Sequence, residues 1–342
     1  MTWTRRNLDP GLVVGFGTLA VLVALSIATP AQLIAIFAGS AILASLLTTA
    51  RRTAVVAGAS IACALLSATW LGNGGTFDWF TRILLCVVLG LVAVQNAALR
   101  ERREERLQRM TVIAETAQRA VLRSIPTAIG SVGLAARYVS ATAEAMVGGD
   151  LYEVAETPYG VRVIVGDVRG KGLEAVQTAT AVLGAFRAAA FTEPDPAALA
   201  RQIDETMGRM LGDEEFVTAI VGQFEGDRVT LANCGHHPPL LVQEGTATEV
   251  DTGEATVPLG MGSLPTVSEH PWPRGARMLF YTDGLVEARD DSGEFFPLDD
   301  YAEELADGTV QEAVDRLVAH VTAYAGGMND DLALVLAERD GR

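Results

Sequence analysis

The sequence predicts an α+β sandwich domain that follows four membrane-spanning helices and a helical linker. Apolar residues make up 49% of the 342-residue chain, and they concentrate in four stretches before residue 100. A strongly charged segment then follows at residues 100–109. Beyond Pro126, short β-branched runs and Ala-rich helical stretches are grouped in pairs, which is typical of an α+β arrangement. We therefore divide the chain into a membrane region at 1–99, a linker at 100–125 and a domain at 126–342.

The four apolar stretches each have about the length that crosses a bilayer, which is roughly 20 residues. They cover approximately residues 12–29, 31–49, 53–71 and 80–99. A cleaved signal peptide is the alternative for the first stretch, because Arg5 and Arg6 precede it. Three further stretches follow it at once, and this favours a multi-span anchor.

The arginines predict the orientation of these spans. They lie before the first span, at Arg51 and Arg52 after the second, and in a cluster at 100–109 after the fourth, whereas the loop 71–79 has no Lys or Arg. Positive residues favour the cytoplasmic side, so we expect a multi-pass plasma-membrane protein with a cytoplasmic C-terminal domain. The spans carry no charge apart from Arg82 near one end, where we expect its side chain to snorkel.

Charge and cysteine content exclude several classes of protein. Up to residue 110 there are ten arginines and five acidic residues, a net charge of +5, and the remainder has a net charge of −21. An acidic domain lacks the basic footprint of nucleic-acid binding proteins, so no nucleic acid is expected as a partner. The three cysteines have neither a disulfide framework nor a zinc spacing.

The linker is expected to be a helix that ends at Pro126. Its apolar positions keep a heptad spacing, namely Leu107, Met110, Ala114, Ala117 and Val121. The pattern fits a parallel dimer helix, and it also fits a single amphipathic helix packed on its own domain. Both interpretations remain open from the residues.

The domain after Pro126 is expected to alternate strands with helices. Predicted helices cover residues 171–190, 196–211 and 310–324, and predicted strands cover 161–165, 216–224, 228–233, 240–243, 277–282 and 332–338.

Four aspartates lie at ends of the predicted strands. Asp150 and Asp167 bracket the strand at 161–165, and a hairpin would bring them together at one end of a sheet. Asp283 directly follows an apolar run, and Asp330 directly precedes another. Asp-Gly and Asn-Asp pairs are also ordinary turn residues. Crowded carboxylates repel unless a cation lies between them, so the four together favour a nest for two Mg²⁺ or Mn²⁺ ions.

The segment GDVRGKG, residues 166–172, does not match a Walker A motif. Three residues instead of four separate Gly166 from Gly170, and a glycine follows Lys171. Lys171 is the only lysine in the chain. It is expected either to contact a substrate phosphate or to cap local carbonyls. The adjacent His236 and His237 are expected to point different ways and to shape the turn before Pro238.

Six motifs carry a resemblance to a known family. In order they are GGDLYEV, VIVGDVRGKG, LANCGHHPPLLV, PLGMG, FYTDGLVEA and NDDLALVL. Together they resemble the bacterial SpoIIE-like branch of the metal-dependent PPM (type 2C) serine/threonine phosphatases. The departures are Glu153, where the family usually has Asp, and NCGHHPP in place of NAGHPPP. The resemblance implies a four-layer α-β-β-α sandwich and a phosphoric monoester hydrolase that acts on proteins.

The resemblance also implies roles for individual residues. Asp167 would bridge two Mn²⁺ or Mg²⁺ ions beside the backbone carbonyl of Val168, and further carboxylates would complete the site. These are Asp150, Asp283 and Asp330, with Asp331 behind them. Arg169 and Lys171 would bind substrate. Arg169 occupies the position at which eukaryotic relatives carry a His as general acid, so the proton donor is unassigned.

The implied partner is a phosphorylated anti-anti-sigma factor of the STAS type, with a homodimer formed through the linker. The alternative is a membrane receptor or scaffold with an inactive phosphatase fold that only binds partners. A nucleotide cyclase would use two metal-binding aspartates, but it would not account for the later TDG and NDD motifs.

Overall fold

The computed structural model describes residues 9–28, 37–140, 148–212, 214–328 and 330–340. The chain forms two compact units, which divide between Arg109 and Met110. The helices that begin in the first unit are α1 (Pro10–Ala28), α2 (Ala38–Leu47), α3 (Ala50–Leu71) and α4 (Phe77–Val121).

Three of these helices are long and apolar enough to cross a membrane, by length and composition: α1, α3 and the Phe77–Met110 part of α4. Helix α2 is apolar but has ten residues. Residues 31–36 of the second predicted span lie outside the described residues. Helix α4 contains the fourth predicted span and most of the predicted linker, and it ends at Val121 rather than at Pro126.

Arg82 differs from the expectation that its side chain snorkels. It is only 1% exposed in the first unit, and its Nη1 donates a hydrogen bond to the Ser67 hydroxyl at 2.8 Å. Serine side chains also join α2 and α3, where the Ser40 and Ser60 hydroxyls lie 2.7 Å apart. Small hydroxyl residues therefore satisfy polar groups among otherwise apolar helices.

The second unit alternates strands and helices along the chain. Its elements after α4 are β1 (Ala128–Ile129), β2 (Val132–Val139), β3 (Leu151–Thr157), β4 (Gly160–Val168), α5 (Leu173–Ala189), α6 (Pro196–Met207), β5 (Val217–Glu225), β6 (Arg228–Cys234), β7 (Leu240–Gln243), β8 (Thr246–Glu249), β9 (Val267–Pro271), β10 (Arg277–Tyr281), α7 (Asp283–Val286), a 3₁₀ turn (Leu298–Tyr301), α8 (Ala302–Ala306), α9 (Val310–Tyr324) and β11 (Leu332–Arg339).

These strands form two sheets that are stacked between two layers of helices. One sheet has the order β1-β2-β11-β10-β7-β8, and the other has the order β3-β4-β5-β6-β9. Helices α5 and α6 pack on the second sheet, whereas α8 and α9 pack on the first. The sheets face each other through β3, β4, β10 and β11. The predicted four-layer α-β-β-α sandwich is confirmed.

Strand β11 shows why its sequence is a continuous apolar run. Ala333, Val335 and Ala337 belong to the larger core cluster, which also contains residues of the second sheet. The alternate residues Leu332, Leu334 and Leu336 face the core beneath α9. A strand that is buried on both faces needs apolar residues at every position, and each fully buried Leu contributes about 1.5–3 kcal/mol. A strand packed in this way holds a fixed position in the sheet, and Asp330 and Asp331 directly precede it.

Candidate metal centre and active site

Two carboxylates of the site come from one hairpin. Strands β3 and β4 pair antiparallel, with Leu151 opposite Gly166. Asp150 precedes β3 and Asp167 lies near the end of β4, so the register brings them to the same end of the sheet. Asp283 enters from the other sheet, two residues after the end of β10. One carboxylate oxygen of each aspartate lies within 4.8 Å of the other two.

Asp330 lines the same pocket but lies outside this close group of three. Its Oδ1 accepts a hydrogen bond from Lys171 Nζ at 2.7 Å. Lys171 therefore pairs with a carboxylate rather than with local carbonyls. The pairing raises the pKa of Lys171.

Burial and mutual repulsion make the carboxylates hard to ionise. The pKa of Asp150 lies well above its usual value because the side chain is buried, with the charge of Asp167 as the next cause. Burial, followed by the charge of Asp283, raises the pKa of Asp167 to about 7. Burial also raises the pKa of Asp283, and Asp330 adds to this. A divalent cation among these oxygens would remove the repulsion, and an all-oxygen set suits Mg²⁺ or Mn²⁺.

Thr282 holds the Asp150 carboxylate in place, a role that was not predicted from the sequence. The side chain is fully buried, and its hydroxyl donates to Asp150 Oδ2 at 2.6 Å. The same hydroxyl accepts a hydrogen bond from the Ala333 amide at 2.9 Å. A carboxylate of one sheet is thereby tied to two strands of the other. Its position directly before Asp283 was the available signal.

The Gly148–Gly149 turn is clamped from two directions. The Gly148 amide donates to Asp331 Oδ2. Gln118 of α4 donates to the Gly148 carbonyl at 3.1 Å and to the Asp150 carbonyl at 3.4 Å. A side chain on Gly149 would lie 2.6 Å from the Val168 carbonyl oxygen, so glycine is required there. Asp331 thus supports the turn that carries Asp150, as expected for a residue behind the carboxylates.

The carboxylates line one wall of an open pocket of about 390 Å³. Its rim carries Arg169 and Lys171, which are both exposed. The Arg169 guanidinium lies over the Phe216 ring, 5.4 Å from its centroid, and donates to the Glu214 carbonyl. The pocket therefore combines an acidic floor with a cationic and aromatic rim, which suits a phosphorylated substrate.

The two adjacent histidines occupy different environments, as predicted. His236 is buried, with Nδ1 3.0 Å from the Thr218 hydroxyl and Nε2 3.0 Å from the Tyr281 carbonyl. Its burial lowers its pKa to about 3. His237 is exposed in the pocket, and its ring stacks against that of Tyr281 at 6.0 Å. The two rings therefore belong to different parts of the site.

Comparison with known proteins gives the same family as the motifs. A family model described as "Stage II sporulation protein E (SpoIIE)" matches residues 157–340. The phosphoserine phosphatase RsbU of Bacillus subtilis (strain 168) is 20% identical over 262 residues, which are 73% of this chain and 76% of that protein.

Solved structures share the fold. The SiaA-PP2C domain of Pseudomonas aeruginosa is 23% identical with a TM-score of 0.57, and the match covers 71% of this chain and 99% of that domain. A structure of RsbU and RsbW domains from Mycobacterium tuberculosis is 28% identical with a TM-score of 0.51, covering 61% of this chain. The Bacillus subtilis SpoIIE phosphatase domain with a regulatory fragment is 17% identical with a TM-score of 0.52, again over 61% of this chain.

This chain spans 60% of the length of the Mycobacterium tuberculosis structure and 63% of the length of the SpoIIE structure. The family model alone covers more than half of this chain, within the second unit. The chain therefore belongs to the SpoIIE family, and its second unit is a serine/threonine protein phosphatase domain of the type 2C (PPM) fold.

Proposed function

We propose that this chain is a membrane-anchored, metal-dependent phosphatase that removes phosphate from phosphoserine or phosphothreonine on a protein regulator. The convergence of Asp150, Asp167 and Asp283 in one pocket carries the proposal. Such buried like charges are destabilising unless they bind a cation, and they mark functional sites. An inactive scaffold would have no need to keep them together.

The proposed metal ligands are the carboxylates of Asp150, Asp167, Asp283 and Asp330 and the backbone carbonyl of Val168. Two Mn²⁺ or Mg²⁺ ions bound there would lower the pKa of a bound water and stabilise charge on the phosphoryl oxygens. Thr282 and Asp331 orient this set, because one donates to a ligand carboxylate and the other holds the turn before it. Asp330 would leave Lys171 in order to bind an ion.

Arg169 and Lys171 are proposed to bind the substrate. Both side chains are exposed at the pocket rim. If Asp330 bound a metal ion instead of Lys171, the Lys171 ammonium would be free to bind a phosphate oxygen. That oxygen would take about the position that the Asp330 carboxylate occupies now. The Arg169 guanidinium has a fixed direction, set by Phe216 and the Glu214 carbonyl. A planar guanidinium matches phosphate geometry.

His237 is proposed to protonate the leaving serine or threonine oxygen. Arg169 cannot supply this proton, because a guanidinium stays protonated at all relevant pH values. His236 has both ring nitrogens engaged and is buried. His237 is an exposed imidazole in the same pocket, and histidine is the side chain that most often acts as a general acid or base.

The membrane anchor, the dimer and the partner are further parts of the proposal. Three described helices have the length and composition of membrane spans, and the arginine distribution favours a cytoplasmic phosphatase domain. Leu107 and Met110 are exposed apolar residues of α4 at heptad spacing, which supports a homodimer through this helix. Membership of the SpoIIE family supports a phosphorylated STAS-domain anti-anti-sigma factor as substrate.

The test is phosphate release from a phosphoserine protein by the full chain in detergent. A purified, phosphorylated STAS-domain protein would be incubated with Mn²⁺, with Mg²⁺ or with a chelator. We expect hydrolysis that depends on the metal and is lost in Asp283→Asn. Metal-independent hydrolysis, or equal activity of the variant, would contradict the proposal. A phosphotyrosine peptide serves as the specificity control.

A further inference from the structure

We propose that His236 is a positioning residue, a neutral strut between the two sheets that sets the separation of Asp167 from Asp283. The inference rests on the proposed function, since it concerns two of the proposed metal ligands. The side chain of His236 contacts Thr218 and Tyr281 and not the Asp167 or Asp283 carboxylates, so its role would be indirect.

One end of the strut reaches the strand that faces Asp167. The Thr218 hydroxyl lies 3.0 Å from His236 Nδ1. Thr218 is the residue directly opposite Asp167 in the ladder between β4 and β5. Its hydroxyl also lies 3.5 Å from the Asp167 carbonyl oxygen. The imidazole therefore contacts the residue that is paired with Asp167 between the two strands.

The other end reaches the strand that leads into Asp283. His236 Nε2 lies 3.0 Å from the Tyr281 carbonyl oxygen. Tyr281 is the last residue of β10, and Asp283 follows two residues later. Because β5 and β10 belong to different sheets, the ring spans the gap between the sheets at the end where the carboxylates meet.

The hydrogen bonds determine the tautomer of the ring. A carbonyl oxygen can only accept, so Nε2 carries the proton and donates to Tyr281. Nδ1 is then the acceptor, and the Thr218 hydroxyl donates to it. The neutral ring makes both bonds in this way, and it adds no positive charge to a site that must bind cations. Its burial holds the pKa low, at about 3, so the ring stays neutral at working pH.

The backbone of His236 is fixed as firmly as its ring. Asn233 Oδ1 accepts from the His236 amide at 2.8 Å, and Asn233 Nδ2 donates to the His236 carbonyl at 2.8 Å. Gly235 has a φ of 70°, and a side chain there would meet Pro258 at 3.2 Å. A metal site tolerates small ligand displacements only. The fixed backbone of His236 and the two contacts of its ring would keep the displacement of the ligands small.

The test compares Thr218→Val with Thr218→Ser in the full chain in nanodiscs. Valine keeps the shape and removes the hydroxyl donor, whereas serine keeps the donor. Mn²⁺ binding would be measured by calorimetry, and the spin coupling of bound Mn²⁺ by electron paramagnetic resonance. We expect Thr218→Val to bind Mn²⁺ about tenfold more weakly and to lose the coupled signal, because changes to residues behind metal ligands have effects of this size. Thr218→Ser should resemble the unmodified chain.

A residue that merely fills the core would give a different result. In that case Thr218→Val would change the unfolding temperature and leave Mn²⁺ affinity and coupling as they are, which would overturn the inference. His236→Gln is the second variant, and it should show the same loss of coupling with folded circular dichroism. Another outcome is that the unmodified chain binds Mn²⁺ and hydrolyses phosphoserine while Thr218→Val and Thr218→Ser both bind Mn²⁺ with unchanged affinity. In that case this inference fails and the proposed function stands. If the unmodified chain binds no Mn²⁺, the proposed function fails and the inference with it.

Discussion

At Asp167 the requirements of folding and of metal binding oppose each other. Burial and the charge of Asp283 raise the pKa of its carboxyl from 3.8 to about 7 in the folded domain. Between these values the folded state binds more protons than the unfolded state. The free energy of unfolding of the metal-free domain therefore falls as pH rises through this interval. The stabilising contribution of Asp167 is complete only at pH values below the interval.

The variant Asp167→Asn should remove this penalty together with the activity. In chelator at pH 8 we expect the free energy of unfolding to equal or exceed that of the unmodified domain, by on the order of 2 kcal/mol. At pH 4, where the aspartate is protonated, the difference should nearly vanish. Thermal unfolding at both pH values, followed by circular dichroism, measures it. A variant that is less stable at pH 8 would show that the repulsion described here is absent.

His237→Gln separates proton donation from metal binding. Loss of a general acid slows a reaction by about 100-fold or more when the leaving group needs a proton. We expect a loss of that order with a phosphoserine peptide and a much smaller loss with p-nitrophenyl phosphate, whose leaving group departs as an anion. Steady-state rates at saturating Mn²⁺ provide the comparison. Equal losses with the two substrates would remove His237 from this role, and Mn²⁺ affinity should be unchanged in either case.

Among the elements, those with continuous apolar runs could be predicted from the sequence. Strand β11, strand β7 and helix α9 were predicted within a residue or two, because burial on one or both faces determines their residues. Strand β2 was not predicted. It contains Gly133 and two alanines, which have weak strand preference, and it is a strand because it pairs with β11 over eight residues. Long-range pairing of this kind leaves little trace in the local sequence.

The residues of the candidate site also fall into those that could be predicted from the sequence and those that could not. Asp150, Asp167 and Asp283 were predicted because Gly-Asp turns at strand ends are visible in one dimension. The buried contacts of Thr282 and His236 depend on how the two sheets stack, and that stacking is settled by the whole core. The pairing of Lys171 with Asp330 joins residues 159 positions apart, so the sequence could not show it.

The end of helix α4 touches two parts of the site, which gives the linker a route to the metal ligands. Gln118 donates to the carbonyls of Gly148 and Asp150, within the turn that carries a proposed ligand. Arg187 of α5 donates to the Val121 carbonyl at 3.2 Å and pairs with Glu153. Helix α4 therefore contacts both the turn that carries Asp150 and helix α5, which begins just after GDVRGKG.

Activity should therefore depend on the rotational phase of α4. A strong parallel coiled coil would be fused in register before Leu107 of residues 107–342, and the junction would be shifted by three or four residues in a series. We expect the hydrolysis rate at fixed Mn²⁺ to rise and fall with phase, because each shift rotates the helix. A flat profile would mean that the linker is only a tether. Gln118→Met, which keeps the length of the side chain, should reduce the amplitude of the profile.

For the whole molecule, the distribution of charge separates a basic N-terminal region from an acidic domain. The first 110 residues have a net charge of +5 and the rest −21. Arginines after the fourth apolar stretch would lie against anionic lipid of the cytoplasmic leaflet. The same distribution predicts that the loop with Asn73 lies on the opposite side of the membrane.

Fusion of a reporter that works only outside the cytoplasm tests this topology. We expect activity for a fusion near Asn73 and none for a fusion after Arg109. A cytoplasmic reporter at the same two sites should give the reverse pattern and acts as the control. Activity of the first reporter after Arg109 would contradict a cytoplasmic phosphatase domain.

Anomalous scattering at the manganese edge, from crystals of the phosphatase unit grown with Mn²⁺, tests the central claim most directly. The account predicts two peaks about 3.5–4 Å apart, bounded by Asp150, Asp167 and Asp283, with Asp330 turned away from Lys171. The matched Asp167→Asn crystal should lose at least one peak. Peaks elsewhere on the surface, or a carboxylate group without any manganese at saturating Mn²⁺, would contradict the account.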